Sequence, residues 1–361
     1  MGLFSRTKNV DIFFVGCDGT DIDRGVYSFY LDSATGEIIK KSFVKSLANP
    51  LSMSKSGRWM YLGYRNGSGR ATDGGVWQYS CMDLQLGLAA RVSYEGRTYI
   101  KTLIAPDRLH GYAIDYYNGE IVTMPIRYSK LVRVSEAIKL NGHSIDPIKQ
   151  TESHPTDIVL APDHKVIVLD MGGDQVLVYD IDERGYLKQD QEHSFNTEAG
   201  SGPRKILFSN SGQYAYIMNE INSHIDVYQY DSGQFTKIQS TLSYLLEECD
   251  GNNIPTDMVL LDDGSHLAII NKGDDTLVLF SILDDGTIKR IDCIETDEGP
   301  NNLMIFRDRW FVVTSKITGT IESFELRSNE KRGILFETHS RLPLHGPVCV
   351  AKGSENLRVT R

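Results

Sequence analysis

The chain reads as an all-β, seven-bladed propeller, a ring of four-stranded antiparallel sheets. Three observations predict it. A phrase of strand, turn and strand recurs along the 361 residues at a spacing of about fifty. A third strand of alternating pattern follows each copy. The two chain ends are each incomplete, and they complement one another. Four antiparallel strands at that period is the pattern of propeller blades.

The clearest copy runs from Gly202 to Glu220, GPRKILFSNSGQYAYIMNE. Ile206, Phe208, Tyr214, Tyr216 and Met218 alternate with other residues, as two half-buried antiparallel strands require. The start of one strand and the end of the next share an edge, so Arg204 and Glu220 are expected to meet. Asn49-Pro50 leads into LSMSKSGRWMYLGYR, ending at Arg65, and Gly96 to Tyr116 carries IKTLIAPDRLHGYAIDY. His154-Pro155 opens TDIVLAPDHKVIVLDM, and Ile254-Pro255 opens TDMVLLDDGSHLAIINK, ending at Lys272. Gly299-Pro300 opens NNLMIFRDRWFVVTSK, ending at Lys316.

Third strands follow at GGVWQYS, GEIVTMPI, DQVLVYDI, SHIDVYQY, DTLVLFSI and GTIESFEL. Turns such as Asp285-Gly286 after them favour tight hairpins. Near the N-terminus, DIFFVGCDGTDIDRGVYSFYLDSATGEI supplies a second, third and fourth strand without a first. Gly346-Pro347-Val348-Cys349-Val350 supplies a first strand with nothing after it. Val348–Val350 is therefore expected to pair with Asp11–Val15, closing the ring and removing an open edge. Residues 1–361 make a single β-propeller domain, with a helical turn expected within Lys237–Asn253.

Composition narrows the function. Apolar residues make up 40% and charged residues 24%, ordinary values for a globular protein. A formal charge of −10, with acidic residues dispersed, argues against nucleic acid as a partner. Five scattered cysteines without a CxxC pair suggest reduced thiols and no structural zinc. No apolar run follows Met1 and no stretch reaches spanning length, so no membrane partner and a cytoplasmic location are expected. Arg6 stands where a myristoylation signal needs Ser or Thr. A monomer or homodimer is expected.

In a propeller the first strand of each blade is innermost. Second-strand ends then bring Cys17, Arg65, Tyr116, Met171, Glu220, Lys272 and Lys316 to one mouth. First-strand starts bring Asn49, Arg97 or Thr98, His154, Arg204-Lys205, Pro255-Thr256, Asn301-Asn302 and Val348. Arg65, Arg204, Lys205, Lys272 and Lys316 around Glu220 and His154 would form a basic mouth that attracts a small anion. Each also has a plainer reading. Glu220 would pair with Arg204 or cap a loop, His154 would hydrogen-bond structurally, and Lys272 and Lys316 would be solvated. Asp18, Asp21 and Asp23 read as solvated loop rather than a cation site. No HExxH, GxSxG, Walker or zinc spacing is present.

At these residues the chain resembles the seven-bladed propeller lactonases, which include propeller-type 6-phosphogluconolactonases and carboxy-cis,cis-muconate lactonising enzymes. NPLSMSKSGRWMYLGYR, SHPTDIVLAPD, VLDMGGDQVLVYDID, DDGSHLAIINKGDDTLVLFSI and the final GPV carry the resemblance, with GPR…YAY…NE the most specific. The resemblance places the family's site residues on His154, Arg204, Glu220 and the position of Lys272. Lys272 stands where the family commonly has Arg, which keeps the charge and loses the planar fork. Lys205 stands where GPRH is common, and Pro300-Asn301 where a second Pro-Arg is frequent. The implied activity is hydrolysis of a sugar lactone, with 6-phosphogluconolactone the first candidate and no cofactor required. Glu220, or after it His154, would be the base, and Arg204 would stabilise the oxyanion. Arg65, Lys205 and Lys272 would hold the anionic group of a small anionic sugar lactone, with Asn301 beside them. A muconate-type lactonising isomerase and a non-catalytic, ligand- or protein-binding propeller are the alternatives.

Overall fold

The computed structural model describes residues 7–19, 24–45, 49–66, 73–82, 85–244, 252–329 and 332–360. These residues form seven antiparallel sheets, and none of them is helical. Blade one is the composite blade, built from Pro347–Lys352, Thr7–Cys17, Gly25–Asp32 and Ile38–Lys45 in that order. Blade two is Pro50–Ser56, Trp59–Arg65, Gly74–Met82 and Gln85–Tyr94. Blade three opens with Tyr99–Ile104, His110–Asp115 and Glu120–Arg127. Blade four opens with Pro155–Leu160 and Val166–Asp170, and blade five with Pro203–Phe208 and Tyr214–Asn219. Blade six opens with Ile254–Leu260 and His266–Lys272, and blade seven with Pro300–Phe306 and Trp310–Ser315. No helix is long and apolar enough to cross a membrane among the described residues.

Closure follows the expected pairing and goes further. Val15 faces Val350 and Gly16 faces Cys349 across the seam. The chain does not stop there, because Leu357–Thr360 turns back and pairs with Thr7–Val10. One long strand thus has two partners in succession along the same edge. Buried Asp11 locks the join, accepting from the Arg307 guanidinium at 2.7 and 3.0 Å and from the Asn356 N–H at 3.0 Å.

Two sequence expectations are corrected. The first strand of blade three begins at Tyr99 rather than at Arg97 or Thr98. Arg97 instead pairs with Glu120 on the third strand, with Asp115 3.6 Å away. Lys237 lies in a strand, Gln234–Leu242, rather than in a helical turn; residues 245–251 of that segment lie outside the described residues.

The core lies between blades, where alternating side chains of neighbouring sheets interlock. The blade-six residues at one such boundary are small or branched: Ala268, Ile270, Leu277 and Leu279 meet Leu303, Ile305, Phe311 and Val313 of blade seven. At the seam Phe13 stacks on Phe29 at 5.2 Å and tilts against Phe306 at 5.8 Å. The ring is therefore held by the same burial that holds any β-sandwich.

One irregularity recurs in every blade. Where the first strand meets the second, one residue is extra. Pro203 faces Asn219 and Lys205 faces Met218, which leaves Arg204 bulged out of the ladder. The same shift isolates Leu51, Ile100, Thr156, Thr256, Asn301 and Val348. A bulge re-aims a side chain. Here seven of them aim at the axis.

Candidate functional site

All seven bulged residues line a cavity of about 590 Å³ along the propeller axis, within the range of roughly 300–1,000 Å³ typical of ligand pockets. The bulged residues have two characters. Val348, Leu51 and Ile100, from blades one to three, are apolar. Thr156, Arg204, Thr256 and Asn301, from blades four to seven, are polar. At the level of the bulges a ring-shaped ligand would meet hydrocarbon on one side and hydrogen-bonding groups on the other, while Ser52, Lys101 and Lys352 also line the cavity on the first side.

Arg204 is placed by the turn before it. Gly202 takes φ 66°, and a Cβ there would lie 2.6 Å from Ile221. Buried Asp174 of blade four anchors the turn, accepting from the N–H groups of Gly200 at 2.6 Å and Gly202 at 2.7 Å. Proline then fixes the direction in which the bulge leaves. The Arg204 guanidinium donates through Nε to the Thr256 carbonyl at 3.2 Å and through Nη1 to Glu220 Oε2. The expected meeting of these two residues is therefore observed.

Glu220 carries a second cation. Lys149, from the segment between blades three and four, places Nζ 3.0 Å from Oε1. Burial, the largest single influence, pushes the Glu220 carboxyl up, but the charges and hydrogen bonds of Arg204 and Lys149 outweigh it. The carboxyl is held below its ordinary value, so it is ionised at neutral pH. Two cations on one carboxylate leave one positive charge in excess at the mouth.

His154 stands beside this cluster, outside the residues that line the cavity. Its ring stacks on Tyr116, which does line it, at 4.6 Å and 13°. Its Nδ1 lies 3.0 Å from the Tyr116 carbonyl oxygen. A carbonyl can only accept, so Nδ1 carries the hydrogen and the lone pair falls on Nε2. Below, the His154 N–H donates to buried Asp170 at 2.6 Å, which fixes the backbone on which the ring is mounted. Burial pushes the Tyr116 phenol up to about 12, keeping it a hydroxyl.

The other sequence candidates are divided between channel and rim. Lys205 lines the channel one residue beyond the bulge, where it is bound to Asp257 of the next blade. Asp257 also accepts from the Met258 N–H at 2.9 Å and the Leu303 N–H at 2.8 Å. Asn301 lines the cavity with both ends of its amide engaged, by the Pro347 carbonyl at 2.7 Å and the Thr314 hydroxyl at 2.9 Å. Arg65 lies over the Tyr117 ring at 4.8 Å and does not reach the cavity wall. Lys272 is exposed at the rim, one blade on from Glu220, and Lys316 pairs with Asp18 at 2.7 Å. Of the residues expected to form a basic mouth, Arg204, Lys205 and Lys316 are each paired with a carboxylate and Arg65 lies against Tyr117. Asp21 and Asp23 lie outside the described residues, and no metal-binding cluster occurs among those described.

Sequence reasoning misses Lys149 and Lys101. Lys149 sits in a segment with no counterpart in the other repeats. Lys101 carries a usable signal, because it precedes Asp157 as Lys205 precedes Asp257, and both aspartates belong to a repeated Pro-Thr-Asp.

The family described as Lactonase, 7-bladed beta-propeller matches residues 12–352. An uncharacterized Lactococcus lactis protein is 29% identical over 270 residues, 74% of this chain and 76% of its own length. Two solved structures share the fold. One, a Bacteroides fragilis protein described as a candidate 6-phosphogluconolactonase, has a TM-score of 0.85 at 22% identity over 96% of this chain and 98% of its own. The other, described as the periplasmic gluconolactonase of Pseudomonas aeruginosa, has a TM-score of 0.87 at 19% identity over 96% and 99%.

Proposed function

The chain belongs to the seven-bladed β-propeller lactonases, and from that premise we propose that it hydrolyses a sugar lactone, with 6-phosphogluconolactone the first candidate. The observation that carries this reading is the Arg204–Glu220–Lys149 cluster at the polar wall of the channel. Lactone hydrolysis needs a base for water and a donor for the oxygen that gains charge. Glu220 takes the proton from water as the oxygen attacks the ring carbonyl. Arg204 turns from Glu220 to the carbonyl oxygen and stabilises the oxyanion. As it turns, Glu220 loses one of the two neighbours that lower its pKa and gains basicity. Collapse of the tetrahedral intermediate breaks the ring C–O bond. The proton held by Glu220 passes to the leaving oxygen, giving a hydroxy acid whose carboxyl then releases its proton to solvent.

The sugar ring's hydrocarbon face would rest on Leu51 and Ile100, and its hydroxyls would face Thr156, Thr256 and Asn301. A phosphate would lie toward the rim, where Lys272 is exposed and Lys149 is close. A second reading for the base is His154, supported by the lone pair that the Tyr116 carbonyl leaves on Nε2. The test is a hydrolysis assay on gluconolactone and 6-phosphogluconolactone, corrected for spontaneous opening. Saturable acceleration supports the proposal. Rates equal to the spontaneous ones with both compounds would sink it.

A further inference from the structure

At the opposite end of the propeller from the channel mouth, the hairpin turns of blades two and three enclose another cavity, of about 260 Å³. Ser56–Trp59 forms one side, and Ile104 with Arg108 forms the other. We propose that this cavity is a binding site for a small organic anion, a carboxylate or phosphate carried on a flat apolar body.

The wall is built for that chemistry. Ile104, Ile126 and the Trp59 indole supply apolar surface. Two guanidiniums, Arg58 and Arg108, stand at it, and neither forms an ion pair among the described residues. Arg58 lies over the Trp59 ring at 4.6 Å, a cation–π contact that leaves its N–H edge open. Tyr61 lines the same cavity and is only 3% exposed, and its hydroxyl makes no hydrogen bond to the described residues. Burial pushes that phenol up to about 12, with the Arg108 charge opposing, so the group is a donor held near a cation. That hydroxyl reaches the cavity surface, where a ligand acceptor would take its hydrogen.

The backbone of Arg108 sets where its side chain leaves the turn. Its φ is +58°, a left-handed conformation that side-chain-bearing residues avoid and Gly adopts freely. At the equivalent turn position blades five and six have Gly212 and Gly264, at φ 74° and 73°, and blade four has His164, at φ 71°. The neighbouring carboxylate does not explain an arginine there, because Asp107 accepts from the Leu109 N–H at 2.7 Å and faces His110 at 3.4 Å. The turn thus sets the Arg108 guanidinium at the cavity wall that Tyr61 shares. A cavity below the roughly 300 Å³ of drug-sized pockets suits a single ring bearing one anionic group.

Benzoate and phenyl phosphate are the probes, with benzyl alcohol as the neutral counterpart, titrated against the whole chain by ligand-observed NMR. The site predicts binding of at least one anion in the millimolar range or tighter, and of the alcohol about tenfold more weakly. Arg108→Gly should weaken the anion by about tenfold or more, while the melting temperature stays level or rises because Gly suits that backbone. Tyr61→Phe should weaken it less. The relative affinity of the two anions shows whether carboxylate or phosphate is preferred. No anion binding at about 10 mM would overturn the site. So would binding unmoved by Arg108→Gly; loss of that binding in Arg204→Ala would then place the anion in the channel instead.

Discussion

Lys149 reaches Glu220 from outside its own blade, its Nζ 3.0 Å from Oε1, on the oxygen that Arg204 leaves open. The pair links the segment before blade four to the end of the second strand of blade five. Removing Lys149 takes away one of the two positive charges that hold the Glu220 carboxyl low. A base works only when deprotonated, so its activity falls as pH drops through its pKa. Lys149→Ala should therefore raise that pKa and move the acid limb of the kcat/KM profile to higher pH. An unmoved limb would show that a different group sets it.

Lys272 is exposed at the rim rather than in the channel wall. Lys272→Ala should raise KM for 6-phosphogluconolactone and leave kcat nearly unchanged, with little effect on gluconolactone. Added salt should shrink the difference, because an exposed charge is screened. Equal losses on both lactones would remove Lys272 from phosphate binding.

Lys205 is bound to Asp257 across the blade boundary, with side-chain exposures of 26% and 15%. Breaking a buried pair from one side leaves an uncompensated charge. Lys205→Met should cost about 1–3 kcal/mol of stability, less than the roughly 3–5 kcal/mol of a fully buried pair. Adding Asp257→Asn should recover part of it. A variant with unchanged melting temperature and a raised KM for the phosphorylated lactone would make Lys205 a substrate ligand.

The two partners of the Thr7–Cys17 strand separate closure from reinforcement. Truncation after Gly353 removes Leu357–Thr360 and should lower the melting temperature while leaving the ring closed. Truncation after Leu344 removes Pro347–Lys352 as well, exposes an unpaired edge and should cost solubility and cooperative melting. Cooperative melting of the shorter chain at the full-length temperature would contradict the seam.

Much of the fold is legible in the sequence because most blades repeat a Pro lead-in, a period-two alternation and a turn. The composite blade follows from counting strands at the two ends, and the meeting of Arg204 and Glu220 follows from hairpin geometry. The bulges are not legible. A single extra residue in PTDIVL or PRKILF does not disturb an alternation read over so few positions, yet it decides which side chain meets the axis. The start of blade three is obscured because Gly96-Arg97-Thr98 has no proline to mark it. The partners of the cations are hidden too. Lys205 and Asp257 are 52 residues apart, and Lys149 and Glu220 are 71 apart with no repeat to relate them.

The Glu220→Gln variant, measured for kcat and melting temperature on one preparation, tests the central claim. Gln keeps the shape and can still accept from Arg204 or Lys149, so the fold should survive with a modest loss of stability. If Glu220 is the base, kcat should fall by about a hundredfold or more, since a positioned base typically supplies ~10²–10⁴. A well-folded variant with wild-type kcat would contradict that role and pass it to His154.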